Sequence, residues 1–396
     1  MKIKRYHAAI PRKAALRDLA QLRYVMDMRY SGKEHWERQG IAFRDIYARI
    51  GDFIDGRSEI YVSDFCRAIH RAFDVGILDN HLCFASPMTG RLHFSKVYAA
   101  WFADMLVEKK DGAFVVIESG DQHVKPGGRI GNAECLFPTL APAGKDYFLV
   151  GRRSWEPLGS MELQIDDAAV TVGLHRCRAC ETKKGDDICL AGETKNGIAV
   201  VRSNCCDFVP PLHKKADIAA IGKAYAGTDA LIWDNLSNEG GYSAIPRDFI
   251  LGLNGYACCE ESCAKLVSPL TQRRPCKRKW IRWDAQPCQP EKGSYDGTLY
   301  FLMNSGTASS GETSVLYAKS LKRAVFIGEN TMGCNTFGNV AGYQLKHSGI
   351  VMRVPNMINL CRYPGDCEEG KGFTPGYWVD APDVQAQVMR WLQKIS

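Results

Sequence analysis

The apolar run Leu299-Tyr300-Phe301-Leu302-Met303 leads within a few residues into Thr307-Ala308-Ser309-Ser310-Gly311-Glu312. The run predicts a strand, and Thr313 to Leu321 predicts a helix, so the small residues between them make a strand-to-helix turn. A serine at such a turn stands at the edge of a sheet. The N–H groups that open the helix point at whatever binds beside it. That geometry suits a nucleophile and an oxyanion better than a buried core serine. Taken alone, the same pattern also fits a plain helix N-cap. Residues 215 to 396 continue to alternate helix and strand, which predicts an α/β core with a partly parallel sheet.

A chain of 396 residues is long enough for two or three domains with a large core. At 45% hydrophobic and 24% charged it has the composition of an ordinary soluble globular protein. It contains no apolar run long enough to predict a transmembrane helix. Met1-Lys2-Ile3-Lys4-Arg5-Tyr6-His7 is basic, but no apolar segment of a signal peptide follows it. The cytoplasm is slightly favoured on that ground, and a periplasmic or secreted location fits if a signal has been removed. The net charge of +7 is mild, and no nucleic-acid module is visible. Its densest cluster, Arg273-Arg274-Pro275-Cys276-Lys277-Arg278-Lys279, reads as a solvated basic loop or as an attractor of an acidic substrate or surface.

Sixteen cysteines are many for this length. They cluster as Cys177-x-x-Cys180 with Cys189, Cys205-Cys206, Cys258-Cys259 with Cys263, then Cys276, Cys288, Cys361 and Cys367. Disulfides would fit an exported protein. A zinc site would fit Cys177, Cys180 and Cys189 with one of His175, Cys205 or Cys206, although no second CxxC supports it. Buried thiols acting as small apolar residues would fit a reducing compartment. The sequence leaves all three open, and the expected functional site includes no metal.

The first part of the chain, 14 to about 78, reads as mostly helical. Leu16, Leu19, Leu22, Val25 and Met26 recur at helical spacing, as do Ile41, Phe43, Ile46, Tyr47, Ile50 and Phe53. Residues 82 to about 203 read as β-rich, with strands at 112–117, 146–150, 161–165 and 197–201 punctuated by Pro and Gly. These divisions predict a helical cap at 1–80, a β-rich middle region at 81–205 and an α/β core at 206–396.

The order of several motifs resembles the C-terminal-processing (tail-specific) and tricorn-like serine peptidases. They are Thr307-Ala308-Ser309-Ser310-Gly311-Glu312, Ala324-Val325-Phe326-Ile327-Gly328-Glu329-Asn330-Thr331-Met332-Gly333, Gly349 to Pro355, and Glu369-Gly370-Lys371-Gly372-Phe373-Thr374-Pro375. Upstream, Ala230-Leu231-Ile232-Trp233-Asp234 followed by Asn238-Glu239-Gly240-Gly241 looks like that family's strand and Asn-x-Gly-Gly turn. The resemblance implies a ClpP/crotonase-like core behind a helical cap. It also implies a PDZ-like module in the middle, here reduced or diverged, because no carboxylate-binding loop is present.

The processing branch pairs its serine with a lysine, but Cys334 stands at that position, so the Ser–Lys dyad is absent. Lys346 is the nearest downstream lysine. The tricorn-like branch uses a histidine just after an apolar helix, and Phe73 to Phe84 resembles that helix end followed by an Asp-x-His turn at Asp79-Asn80-His81. His81 is the candidate base, with His70 and His123 as alternatives that no motif supports. By the same resemblance, Asn80 (in place of a serine) and Glu369 would orient the imidazole, with Glu368 the counterpart if the register slips by one. Ser309 is the candidate nucleophile, ahead of Ser305 and Ser310. Ser310 and the Gly240-Gly241 turn would supply the oxyanion hole. No motif places a histidine beside Cys334, which is expected to be buried or disulfide-bonded. The branch-typical Leu-Arg after the strand aspartate is missing, since Asp234 is followed by Asn235-Leu236.

The function so implied is hydrolysis of peptide bonds by a serine nucleophile without a cofactor. The substrate would be a peptide or protein, and homo-oligomerisation stays open. One alternative is an inactive protein of the same fold that binds a peptide or apolar ligand. Another is an acyl-thioester enzyme on the same scaffold, for which no adenine-nucleotide signature is present.

Overall fold

The computed structural model describes residues 8–182, 188–195, 197–207, 215–272, 274–361 and 368–395. The basic N-terminal stretch 1–7, Arg273 and Cys367 lie outside the described residues. The chain forms two compact units, each assembled from segments far apart in sequence. One takes Met1–Lys96, Glu261–Ala285 and Cys334–Pro364; the other takes Val97–Glu260, Gln286–Gly333 and Gly365–Ser396.

The first unit begins with helices Arg12–Arg29, Gly32–Arg38, Phe43–Ile54 and Val62–Phe73. The helical spacing of Phe43, Ile46, Tyr47, Ile50 and Ile54 puts all five on one buried face. Phe65, Ile69 and Phe73 do the same on the fourth helix. These faces share one core with Phe84, Phe94, Met352 and Val354 from a small sheet. That sheet pairs Ala341–Gln344, Val351–Val354, Asp79–Ser86 and Gly90–Phe94 in this order. A second four-stranded sheet runs Lys279–Trp283, Glu261–Val267, Met357–Cys361 and Phe337–Gly338.

The expected turn at His81 is instead the irregular start of the strand Asp79–Ser86. One carboxylate oxygen of Asp79 accepts the N–H groups of His81 at 2.9 Å and Leu82 at 3.0 Å. The pairing with Gly90–Phe94 shifts register between Asp79 and Cys83. An aspartate that satisfies its neighbours' amides locally lets the turn and the strand coexist as a bulge.

The second unit is built on one large sheet. Its antiparallel part includes Ala168–Gly173, Ser160–Ile165, Ala113–Ser119, Ala99–Lys110 and Tyr147–Ser154, which accounts for the β-rich reading of the middle of the chain. From Leu136–Thr139 the pairing becomes parallel, through Tyr377–Trp378, Ala324–Gly328, Thr298–Met303, Ala230–Asp234 and Ile198–Arg202. The result is a mixed α/β fold. Parallel strands covered on both faces read as continuous apolar runs, which is why these strands were legible. Val200, Ile232, Leu302 and Ile327 lie in one core with Val384, Val388 and Leu392 of the last helix, Val384–Ile395.

Candidate active site

Adjacent parallel strands end together, and their carboxyl-end loops form the site, as open α/β sheets favour. Ala230–Asp234 leads into residues 235–241, Thr298–Met303 into 304–309, and Ala324–Gly328 into 329–333. The helix after Ser309 runs Ser310–Ala318, three residues earlier than its apolar pattern suggests. The carboxylate of Glu312 causes this early start, because it reaches back to accept the Ser309 N–H at 3.3 Å.

Ser309 has φ 54° and ψ −122°. A non-glycine residue there is strained by about 1–3 kcal/mol, and such strain gathers at functional turns. The conformation is that of a nucleophile elbow, a sharp strand-to-helix bend that lifts the serine out of the sheet.

Gly240 supplies the opposite wall, with φ +93°. A Cβ on Gly240 would lie 2.7 Å from both the Ser309 Cβ and the Ser310 nitrogen. Only glycine permits this approach. Gly240→Ala is therefore expected to destabilise the fold by about 2–4 kcal/mol, read by urea unfolding. Ser310 is the first residue of the helix, and its hydroxyl donates to the Gly241 carbonyl at 2.8 Å. The Gly240 N–H is already donated to the Asn238 side chain at 2.9 Å.

Asn238 and Glu312 hold this arrangement, and sequence reasoning gave neither a role. The Asn238 side-chain amide donates to Asn235 at 2.8 Å and to the Ser203 carbonyl at 3.0 Å, and the Asn238 backbone carbonyl accepts the Ala308 N–H at 2.8 Å. Asn235 donates to the Gly311 carbonyl at 3.0 Å. One asparagine thus ties the Gly-Gly turn to the serine turn. Glu312 is fully buried. Besides Ser309 it accepts the Thr331 hydroxyl at 2.6 Å and the Gly333 N–H at 2.9 Å. The signal available in advance was a carboxylate three residues into a helix whose neighbours are all small.

Ser305, the rival nucleophile, accepts from Arg176 at 3.1 Å and stands beside the buried ion pair of Arg176 with Glu329. Burial raises the Glu329 carboxyl above its ordinary range, and Arg176 opposes that. Glu369 lies half-buried on a turn fixed by the Gly370 N–H donating to the Gly333 carbonyl at 2.7 Å. Its neighbour Glu368 pairs with Lys371 at 2.5 Å.

The second unit therefore brings Ser309, Ser310, Gly240 and Gly241 together and carries Glu369. Asn80 and His81 belong to the first unit. There the Asn80 side-chain oxygen accepts the Lys96 N–H at 3.2 Å. Burial lowers the His81 imidazole to about 4, with the charge of Arg353 adding to the shift and the Phe337 backbone opposing it. Cys334, expected to be buried or disulfide-bonded, is buried and outside any disulfide. Its sulfur lies 3.3 Å from Nδ1 and 3.5 Å from Nε2 of His81, a neighbour that no motif announced.

Of the residues considered for zinc, His175 pairs with Asp380 at 2.7 Å, and the Cys177 thiol faces the Val379 carbonyl at 3.6 Å. Among the described residues no group of three His, Cys, Asp or Glu side chains could hold a metal ion. Cys66, Cys83, Cys135, Cys177, Cys189, Cys206 and Cys258 are buried thiols outside any disulfide. Burial pushes Cys206 up to about 12, so it is inert at neutral pH.

Residues 256–378 match the model of peptidase family S41. That span contains Ser309, Ser310, Cys334 and Glu369, and Asn80, His81, Gly240 and Gly241 lie outside it. No curated protein matches the chain. Among solved structures, mature CPAF complexed with lactacystin is 13% identical, with 97% of each chain covered and a TM-score of 0.50, which is a likeness of fold. A putative peptidase from Parabacteroides merdae is 10% identical over 98% of this chain and 94% of that one, TM-score 0.48. The photosystem II D1 C-terminal processing protease is 15% identical over 93% of both chains, TM-score 0.42. The matched segment, about a third of the chain, is similar to peptidase family S41, the tail-specific and tricorn-like serine peptidases that the order of motifs resembles.

Proposed function

We propose that the chain hydrolyses peptide bonds in a peptide or protein substrate, with Ser309 as nucleophile and His81 as general base. The observation that carries this reading is the strained Ser309 backbone at the carboxyl end of the parallel strands, with Gly240 closed against it. A serine hydroxyl needs a base to attack an amide at neutral pH. His81 takes the Ser309 proton and returns it to the leaving amine, and water then resolves the acyl-enzyme. The Ser310 and Gly241 N–H groups receive the oxyanion, with Gly240 giving the carbonyl room to approach. Asn80 and Glu369 orient the imidazole. No cofactor takes part.

The remaining assignments belong to the same proposal. The parallel part of the sheet is a ClpP/crotonase-like core, and the antiparallel part is a reduced PDZ-like module. The chain then reads functionally as a cap at 1–80, a middle region at 81–205 and a catalytic core at 206–396. Homo-oligomerisation is compatible with it.

Because burial holds His81 at about 4, its imidazole is already the neutral, proton-accepting form at pH 5. The acid limb of kcat/KM is therefore expected near pH 4, not near 6.5. The same group links to stability. Its folded pKa lies below the unfolded value, so the unfolded chain binds the proton first as pH falls. Stability from this group is present above about pH 6.5 and is lost between 6.5 and 4, by up to ~3 kcal/mol. Urea unfolding at pH 7, 5.5 and 4, compared between wild type and His81→Phe, reads it.

A fluorophosphonate probe tests the function directly. Stoichiometric labelling of Ser309, lost in Ser309→Ala and accompanied by peptide hydrolysis, supports the proposal. Peptide hydrolysis that persists in Ser309→Ala overturns the assignment. A folded wild-type chain that is neither labelled nor active favours the reading as an inactive peptide or ligand binder, with which Cys334 in the lysine position also agrees.

A further inference from the structure

The basic cluster that the peptidase reading leaves unused continues into the strand Lys279–Trp283, which ends its sheet. One side of this strand pairs antiparallel with Glu261–Val267, Cys263 opposite Trp283 and Lys265 opposite Ile281. On the other side no strand pairs with it among the described residues. In an antiparallel edge strand alternate residues turn both N–H and C=O outward, so a row of backbone donors and acceptors is presented.

The start of the strand is firmly held. Arg278 pairs with Glu34 at 2.5 Å and donates to the Asp27 carbonyl at 2.9 Å. The Trp280 indole donates to Glu34 at 2.9 Å, and its ring packs on the core of the first unit. With Trp280 turned inward, the period of two turns Lys279, Ile281 and Trp283 to the other face. Ile281 is 37% and Trp283 48% exposed. Between Arg274 and Trp283 the chain carries Arg274, Lys277, Arg278, Lys279 and Arg282 and no acidic residue. Lysine and arginine on an edge commonly serve to keep copies apart. Protection alone has no use for an exposed isoleucine and tryptophan in the same five residues.

We propose that the edge strand Lys279–Trp283 is a docking strand for an extended acidic segment of a partner polypeptide. The partner adds as one further strand to this sheet. Its backbone completes the outward hydrogen bonds, its apolar residues cover Ile281 and Trp283 on one face, and its carboxylates, alternating to the other face, meet Arg282, with Lys279 and the preceding Lys277 adding to the local positive charge. The inference concerns the first unit alone and does not depend on Ser309 or His81 being catalytic.

The test uses the full chain and a fluorescein-labelled peptide of alternating glutamate and valine, read by fluorescence anisotropy. Lys279→Glu with Arg282→Glu is expected to weaken binding at least about ten-fold, and a lysine–valine peptide to bind no better than that variant does. Two further peptides carry N-methyl groups on the odd or on the even residues. Strand addition uses one set of N–H groups, so one of the two is expected to lose about ten-fold and the other less than about two-fold. Variants are checked for an unchanged melting curve, and Trp283→Ala serves if the charge reversal does not fold. Equal binding by both N-methyl peptides, or undiminished binding by the folded variants, overturns the proposal. Tighter binding of a single-stranded RNA oligomer or of phosphatidylserine vesicles also overturns it.

Discussion

Ser309→Ala is expected to lower kcat/KM for peptide hydrolysis by on the order of 100,000-fold while leaving the melting temperature within a few degrees of wild type. In the proposed mechanism the loss follows from removing the atom that would form the acyl bond. The fold should tolerate it, because the backbone bonds of Ser309 remain, the N–H to Glu312 and the carbonyl to the Thr313 N–H at 3.0 Å, and what is lost is the hydroxyl's helix cap on the Glu312 N–H, worth about 1 kcal/mol. His81→Ala is expected to cause a loss of similar size, and the double variant little more than either single one, because the two act as a unit. Residual activity would come from the oxyanion hole and substrate binding. The decisive measurement is single-turnover kinetics on a fluorogenic peptide for the three variants. Losses that multiply in the double variant would show that His81 works independently of Ser309 and sink the base assignment, whereas full activity in Ser309→Ala would remove the nucleophile.

Glu312→Ala is expected to be the most damaging substitution that leaves both proposed reacting groups in place. The buried carboxylate receives the Ser309 N–H, the Thr331 hydroxyl and the Gly333 N–H. Its removal strands three donors and opens a cavity, at a cost of about 3–5 kcal/mol. The turn would relax out of its strained conformation, and activity is expected to fall at least about a hundred-fold, since misplacement of a reacting group by 1 Å costs that much. Glu312→Gln keeps the shape but presents an amide donor to groups that are themselves donors, so an intermediate loss of about 2 kcal/mol is expected. Urea unfolding separates stability from turnover. If Glu312→Ala unfolds at the wild-type denaturant midpoint, the clamp described here is not what holds the turn.

Much of the scaffold was readable because its signals are local. Parallel strands show apolar runs such as 299–303 and 230–233, since both faces are covered. The first helices were legible from their spacing. The strained turn was legible because Thr307 to Gly311 are small and sit between a strand and a helix. Where local reading missed, a side chain had supplied a bond that propensity does not encode. Asp79 folded an expected turn into a strand, and Glu312 started a helix at Ser310.

The sequence by itself determined the α/β class and the serine turn and carried the resemblance to family S41, because these depend on residue type and spacing within short windows. The tertiary structure alone decided which groups surround them. Asn238 was brought beneath the serine turn, Glu312 reached Thr331 and Gly333, and Cys334 was packed against His81 across 253 positions of chain. Such contacts join segments that are remote along the polymer and leave no periodic trace in it. They exist only once burial has closed the intervening chain and made each polar group find a partner.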